Sequence, residues 1–244
     1  MNLMATSDLH IIHENDDAHI FFKKFVNLAL RNGTETVVLL GDIFDFMVGN
    51  NQGYLKDYNW YFKDIEKLLL SGIEVYVVEG NHDFHLEKIY EQRYKDFEKF
   101  NYISGDLNLK IGDLNFLFMH GDDLDLDNPG YKKWKEIYTS NWFKTLVNNV
   151  LPYPVLKYLG GKASTDSKKR NSPNFDYEKY KIFYREKVLK FIEDKKEIDI
   201  LVAGHTHIED KFEFESKIYV NNGYPAKTNK FIYIQNDIIE VRSI

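Results

Sequence analysis

Apolar residues along this chain keep two different rhythms, and their alternation predicts the fold class. Residues 1 to 7, MNLMATS, read as a short first strand. In DAHIFFKKFVNLALRNG the side chains of Ile20, Phe21, Phe25 and Leu28 recur at helical spacing, and Gly33 marks the stop. TETVVLLGD is a continuous apolar run of strand length, YLKDYNWYFKDIEKLLLSG is a second helix ending at a glycine, and IEVYVVEGNHD is a third strand. The order β-α-β-α-β implies parallel strands joined by helices. Strands covered on both faces have no polar alternation, which accounts for their uniformly apolar character.

The rhythm then changes. LNLKIGDLNFLFMHGD reads as a hairpin turning at Gly112 and Asp113. Two helices are expected at about 131–151 and 176–195, separated by a polar stretch with Pro152, Pro154, Gly160, Gly161 and Pro173. IDILVAGHTH is a further strand, and KFEFES, KIYVNNG, KFIYIQ and IIEVRS are short strands after it. No internal repeat or low-complexity linker interrupts the pattern. The simplest organisation is an α/β fold in one domain, residues 1–244, with a helical insert at about 125–175.

Composition narrows the class. With 244 residues, 43% apolar and 29% charged, the chain suits a soluble globular protein with one substantial core. No run approaches the ~20 apolar residues of a membrane span. No signal peptide is expected, because the apolar run at Ile11 and Ile12 is short and broken by His13 and Glu14. The chain has no cysteine, so any metal site must draw on His, Asp, Glu or Asn. These features fit a cytoplasmic protein, and a net charge of −6 argues against general nucleic-acid binding. Charge is uneven: residues 131–170 hold nine Lys or Arg against Glu136 and Asp166, a local excess of +7 in a remainder of −13.

The chemistry collects at the strand ends. SDLH gives Asp8 and His10, LLGDIFDF gives Asp42, VEGNHD gives Asn81, His82 and Asp83, FMHGD gives His120, and AGHTH gives His205 and His207. Five of the eight histidines lie in these positions. A single His-x-His beside a strand could be a solvated loop. Five strand ends carrying carboxylate, amide and imidazole to one edge of a parallel sheet point instead to a site in the crevice beyond them. That donor mixture suits a pair of divalent metals: carboxylates bring charge and can bridge, and neutral imidazole suits Mn, Fe, Co, Ni or Zn. Glycines before Asp42, Asn81 and His205 let the backbone turn sharply or approach an ion. Asp83 could instead cap the following helix. Asp45 reads as a carboxylate behind the ligands or a cap, His85 as surface or packing with substrate contact as the alternative, and His13 and His19 as structural or solvated.

Taken together, SDLH, GDIFDF, GNHD, HGD and GHTH resemble the five-part signature of the calcineurin-like metallophosphoesterases, in order and across residues 8 to 207. The resemblance implies a layered β-sheet core flanked by helices, with the helical insert over the active site. It implies that Asp8, His10, Asp42 and His207 hold one metal and that Asp42, Asn81, His120 and His205 hold the other, Asp42 bridging. It casts His82 as the group that contacts the scissile phosphate or protonates the leaving oxygen, with Asp83 orienting it.

The insert must choose the substrate, because the core motifs serve many. GYKKWKEIYTSNWFKTLVNNVLPYP sets Tyr131, Trp134, Tyr138, Phe143, Leu146, Val147 and Val150 mainly along one helical side. The helix either packs on the core or is a basic amphipathic element meeting a membrane surface or lipid chain. GDIFDFMVG, GNHDF, HGDDLDLDNPGYKKWK and GKASTDSKK are similar to the UDP-2,3-diacylglucosamine pyrophosphatases of lipid A synthesis. That family cleaves a diphosphate to UMP and 2,3-diacylglucosamine 1-phosphate. The resemblance implies two divalent ions, Mn²⁺ foremost with Fe²⁺, Co²⁺ or Zn²⁺ as alternatives. It also implies a nucleotide-sugar lipid substrate, and a cytoplasmic enzyme peripheral on the inner face of the inner membrane. Substrate contacts would fall on Asn81, His82, His205, Asn128, Ser164, Lys168 and Lys169. The chain departs from the family in carrying His82, where some relatives have Arg, and Gly223-Tyr224-Pro225, where Gly-Asp-Trp is usual. The rivals are a metallophosphoesterase for a soluble nucleotide, phosphodiester or phosphoprotein, and a non-catalytic scaffold.

Overall fold

The chain opens with β1 (Asn2–Thr6), α1 (Asp17–Arg31) and β2 (Thr36–Leu40). A two-residue strand β3 (Met47–Val48) precedes helices α2 (Gly53–Asp57) and α3 (Asn59–Leu70), then β4 (Glu74–Val78), β5 (Asp83–Phe84), α4 (Glu87–Tyr94) and β6 (Phe100–Ile103). The hairpin β7 (Leu107–Ile111) and β8 (Leu114–Met119) leads through a 3-10 turn to α5 (Pro129–Tyr138), α6 (Asn141–Asn149), α7 (Tyr153–Ser167) and α8 (Tyr177–Glu193). β9 (Ile200–Ala203), β10 (Glu209–Phe214), β11 (Lys217–Asn222), α9 (Pro225–Thr228), β12 (Lys230–Gln235) and β13 (Ile238–Ser243) complete the order. This is a computed structural model, which describes residues 1–125, 129–167, 176–236 and 238–244, with backbone alone at 125 and 161–167.

Two sheets face each other. One has the order β13-β12-β1-β2-β4-β6, with β1, β2, β4 and β6 parallel and β12 and β13 antiparallel at the edge. The other has the order β10-β11-β9-β8-β7, with β8, β9 and β11 parallel between antiparallel partners. The alternation of side chains across each strand explains the uniformly apolar runs. In β2, Val37 and Leu39 enter the core under α1 and α3, while Val38 and Leu40 enter the core between the sheets. In β8, Phe116 and Phe118 face the inter-sheet core, and Leu117 and Met119 face Tyr184, Val188 and Ile192 of α8. The result is a helix–sheet–sheet–helix sandwich. Truncating Leu40 to Ala in such a core costs about 2–5 kcal/mol.

Helix α1 forms where its apolar stripe predicts. Asp16 caps it by accepting the backbone amide of His19 at 2.7 Å, and Phe21, Phe22, Phe25 and Val26 are buried. Two predicted helices are interrupted. The one read from Tyr54 onward breaks at Tyr58 (φ −113°, ψ 26°) into α2 and α3. The one at 131–151 breaks after Tyr138 and restarts under a Ser140 cap. The stretch read as a polar linker instead forms α7. Pro154 sits in its first turn, where a missing N–H is tolerated. Gly160 lies against Phe46, whose Cδ1 would be 2.7 Å from an added Cβ. Among the described residues no helix is long and apolar enough to cross a membrane.

Candidate metal centre

The candidate ligands all lie just past strand ends. Asp8 and His10 follow β1, Asp42 follows β2, Asn81 and His82 follow β4, His120 follows β8, and His205 and His207 follow β9. Both sheets thus deliver side chains to one edge. The loops are tied together by backbone bonds: the amide of Asp8 to Gly41 O (3.1 Å), His10 to Asp42 O (3.0 Å), and Gly204 to His120 O (2.8 Å). Asp8, His10, Asp42, His205 and His207 all have left-handed backbones, with φ between 52° and 69°. Non-glycine residues adopt that region at a cost, and such strain gathers at functional sites. Gly80 is needed here, because a Cβ on it would sit 2.2 Å from Asp42 Oδ1.

Donor atoms converge in two sets that share Asp42. On one side His10 Nε2 lies 2.9 Å from His207 Nε2, and His207 Nε2 lies 3.5 Å from Asp8 Oδ1. On the other, Asn81 Oδ1 lies 3.1 Å from His120 Nε2 and 3.0 Å from His205 Nδ1. Asp42 Oδ2 stands between them, 3.7 Å from His10 Nε2 and 3.4 Å from His120 Nε2. The groups Asp8–His10–His207 and Asp8–Asp42–His120 each offer donors within 4.8 Å of one another.

The donor set fits divalent cations. Burial lowers His10 to about 3, so its imidazole is neutral, the form that ligates. His10 Nδ1 is buried and has no hydrogen-bond partner among the described residues. His120 Nδ1 lies 3.1 Å from Leu40 O, which can only accept, so Nδ1 carries a proton and Nε2 is the nitrogen that faces the cluster. Burial opposes charge on Asp42, but the imidazoles of His120 and His82 outweigh it and hold the carboxyl well below the usual range. Burial and the charge of Asp42 raise Asp8 to about 7. Burial disfavours a charged His120, yet Asp42 and Asp8 lift it to about 10. Carboxylates crowded this closely, with protons held on their neighbours, are an arrangement that cations relieve.

His82 and Asp83 take roles that local sequence does not reveal. His82 Nδ1 lies 2.7 Å from the backbone oxygen of Asp45, so it donates there and leaves Nε2 for substrate. Asp83 does not stand behind that ring, and it does not cap α4, whose cap residue is Leu86. Its buried carboxylate instead accepts the backbone amides of Asp42 (2.8 Å), Ile43 (2.7 Å), Phe44 (3.3 Å) and Gly80 (3.0 Å). It therefore orders the loop that carries Asp42, where an orienting role toward His82 was the expectation. Asp45 stands behind the ligands, with Oδ1 3.8 Å from His10 Nδ1. His85 is buried and donates from Nε2 to Tyr138 O (2.7 Å), a packing role. Asn128, Lys168 and Lys169 lie outside the described residues, and of Ser164 only its place in α7 is described.

One neighbour of the site, Asp122, was not singled out from sequence, and Tyr224 was marked only as a departure from the family pattern. Asp122, the first acid of HGDD, is buried and accepts from Tyr131 OH (2.7 Å), Lys135 Nζ (2.8 Å) and Tyr138 OH (2.9 Å). It fastens α5 to the His120 loop, and the ring of Tyr131 lies 5.6 Å from that of His205. On the opposite metal set, the ring of Tyr224 stacks on His207, 5.1 Å between centroids and 8° between planes.

A family model, described as calcineurin-like phosphoesterase, matches residues 1–209. A protein from Psychromonas ingrahamii named UDP-2,3-diacylglucosamine hydrolase is 28% identical, over 85% of this chain and 81% of that protein. One of the same name from Vibrio parahaemolyticus is 23% identical, over 100% of this chain and 95% of that one. Among solved structures, a novel archaeal phosphodiesterase superposes with a TM-score of 0.52 at 16% identity, covering 100% of this chain and 99% of that chain. That likeness bears on the fold alone.

Proposed function

The chain belongs to the calcineurin-like phosphoesterases, and on that premise we propose that it cleaves the diphosphate of UDP-2,3-diacylglucosamine to UMP and 2,3-diacylglucosamine 1-phosphate. The observation that carries the chemistry is Asp42 Oδ2 lying within 4 Å of both His10 and His120, at 3.7 and 3.4 Å. The substrate is supported by the name shared by both relatives across most of each chain. In this reading Asp8, His10, Asp42 and His207 hold one ion, and Asp42, Asn81, His120 and His205 hold the other. Two such ions, Mn²⁺ by preference, would activate water and neutralise charge on the entering and leaving oxygens. His82, held through Nδ1, presents Nε2 to the phosphate and gives its proton to the leaving oxygen. Asn81 and His205 also meet substrate.

We read residues 1–244 as one phosphoesterase domain with α5–α7 as the insert. Trp134, Trp142, Val150, Val155, Tyr158 and Leu159 are exposed on those helices. Such a cluster suits acyl chains and a membrane surface. Lys135, Lys144 and Lys157 are engaged by Asp122, Glu87 and Asp57, which among the described residues leaves Lys132 and Lys133 of α5, both exposed, for anionic headgroups. The segment with Asn128, Ser164, Lys168 and Lys169 would meet the sugar and phosphates. The protein would work in the cytoplasm, peripheral to the inner membrane.

The test is UMP release from UDP-2,3-diacylglucosamine against UDP-glucose at equal concentration. Each buried methylene is worth about 0.8 kcal/mol, so the acylated substrate should be cleaved far faster. Equal rates would discard the lipid assignment and keep the phosphoesterase.

A further inference from the structure

The departure at Gly223-Tyr224-Pro225 falls directly on the metal centre. The ring of Tyr224 lies nearly parallel to that of His207, with 8° between planes and 5.1 Å between centroids, and 6.3 Å from the ring of His10. An offset stack at this separation is a favoured geometry for flat rings. His207 and His10 in turn face one another through their Nε2 atoms at 2.9 Å.

The turn that presents Tyr224 is built onto both histidine-bearing loops. Asn222, fully buried, accepts from Ser7 Oγ (3.1 Å) and donates to Ser7 O (3.4 Å), next to Asp8. Asn221, equally buried, donates to Gly204 O (2.8 Å) and Thr206 Oγ1 (3.2 Å), on either side of His205. The amide of Gly223 returns to Asn221 Oδ1 at 2.8 Å. Pro225 then starts α9, with Tyr224 as its cap residue and an extended backbone. The position of the ring is therefore fixed relative to the β1 and β9 loops rather than left to a free rotor on the surface. The Nζ of Lys227 lies 5.7 Å from the ring centroid, a cation–π distance.

We propose that Tyr224 is a positioning residue for the first metal set: its ring fixes the plane of His207, and through His207 the approach of His10, so that Asp8, His10 and His207 bind a divalent cation in a prearranged geometry. The ring does this as a flat surface, and its hydroxyl is not required. Outer partners of metal-bound histidines typically contribute about 10–100-fold to affinity.

The inference rests on the metal reading and is tested apart from turnover. Apoprotein prepared with chelator is titrated with Mn²⁺, and bound and free ion are read by calorimetry and electron paramagnetic resonance. Wild type should take up two ions. Tyr224→Leu, which keeps most of the side-chain volume, should bind one of the two at least about tenfold more weakly. Its apoprotein should melt as wild type does. Tyr224→Phe and Tyr224→Trp should retain both affinities. Two wild-type affinities in Tyr224→Leu, or loss of an ion in Tyr224→Phe, would overturn the proposal. Failure of the wild type to take up Mn²⁺ would overturn the metal reading itself and this inference with it. If Tyr224→Leu does not fold, the Tyr224→Phe and Tyr224→Trp titrations carry the test.

Discussion

The carboxylate of Asp83 accepts the backbone amide of Asp42 at 2.8 Å, joining the ends of two neighbouring parallel strands. With the amides of Ile43, Phe44 and Gly80 also on it, Asp83 neutralises four donors in a buried loop. Asp83→Ala would leave those donors unpaired. A single orphaned buried group costs about 1–3 kcal/mol, so the variant should lose at least about 2 kcal/mol in urea unfolding and should bind both ions poorly. Turnover that falls at unchanged stability would return Asp83 to a role behind His82.

Asp42 and Asn81 should separate in metal analysis. Asp42 Oδ2 faces both His10 and His120, whereas among the described residues Asn81 Oδ1 faces His120 and His205. Asp42→Ala is expected to carry little metal after gel filtration, and Asn81→Ala is expected to keep close to one ion per chain. Elemental analysis decides, and equal metal content in the two variants would contradict the sharing of Asp42. Chelator should abolish wild-type activity and added Mn²⁺ should restore it.

The strands were legible because apolar runs with cores on both sides have little other reading, and the ligands were legible because they sit at those strand ends. Val37 and Val38 point to different cores, yet both are apolar. Asp83 was not legible in its role, because three of its four partners lie some forty positions away and all are backbone amides, which sequence does not mark. α7 was missed because Pro154 and Gly160 break helices in isolation. First-turn placement and the contact with Phe46 remove both objections. Asp122 did leave a signal. Tyr131, Lys135 and Tyr138 recur at i, i+4 and i+7, one helical face bearing three donors toward a single acid. Tyr224 left only a departure from the usual motif, and its stack on His207 needed the fold.

His19 predicts a pH dependence remote from the metals. Its Nδ1 accepts the backbone amide of Asn15 at 2.7 Å, which requires an unprotonated nitrogen, and its ring packs on Trp60. Burial, then the charge of Lys23, lowers its pKa from the ordinary ~6.5. A lowered histidine binds fewer protons folded than unfolded. Its contribution is thus complete above the unfolded value and is lost as pH falls below it toward the folded one. Between about pH 7.5 and about pH 5.5 the Tm of wild type should fall more than that of His19→Gln, the other histidines being common to both. Parallel melting curves across that range would remove His19 from the acid response.

His82 separates chemistry from assembly. Its imidazole is half-buried, is held by Asp45 O at 2.7 Å, and meets the ring of His10 edge-on at 4.8 Å between centroids. Among the described residues the ligand-to-ligand contacts under 4 Å bypass its side chain, and the bond it makes to Asp42 Oδ1 (2.8 Å) comes from its backbone amide, which substitution keeps. His82→Ala should therefore bind metal and melt close to wild type. A positioned acid or phosphate contact is worth ~10²–10⁴-fold, and kcat should fall within that range. The loss should shrink with a substrate whose leaving group is already a weak base, such as an aryl phosphodiester, because such a group departs without a proton. Equal losses on both substrates would assign His82 to phosphate binding rather than proton transfer, and near wild-type turnover on both would remove it from the reaction.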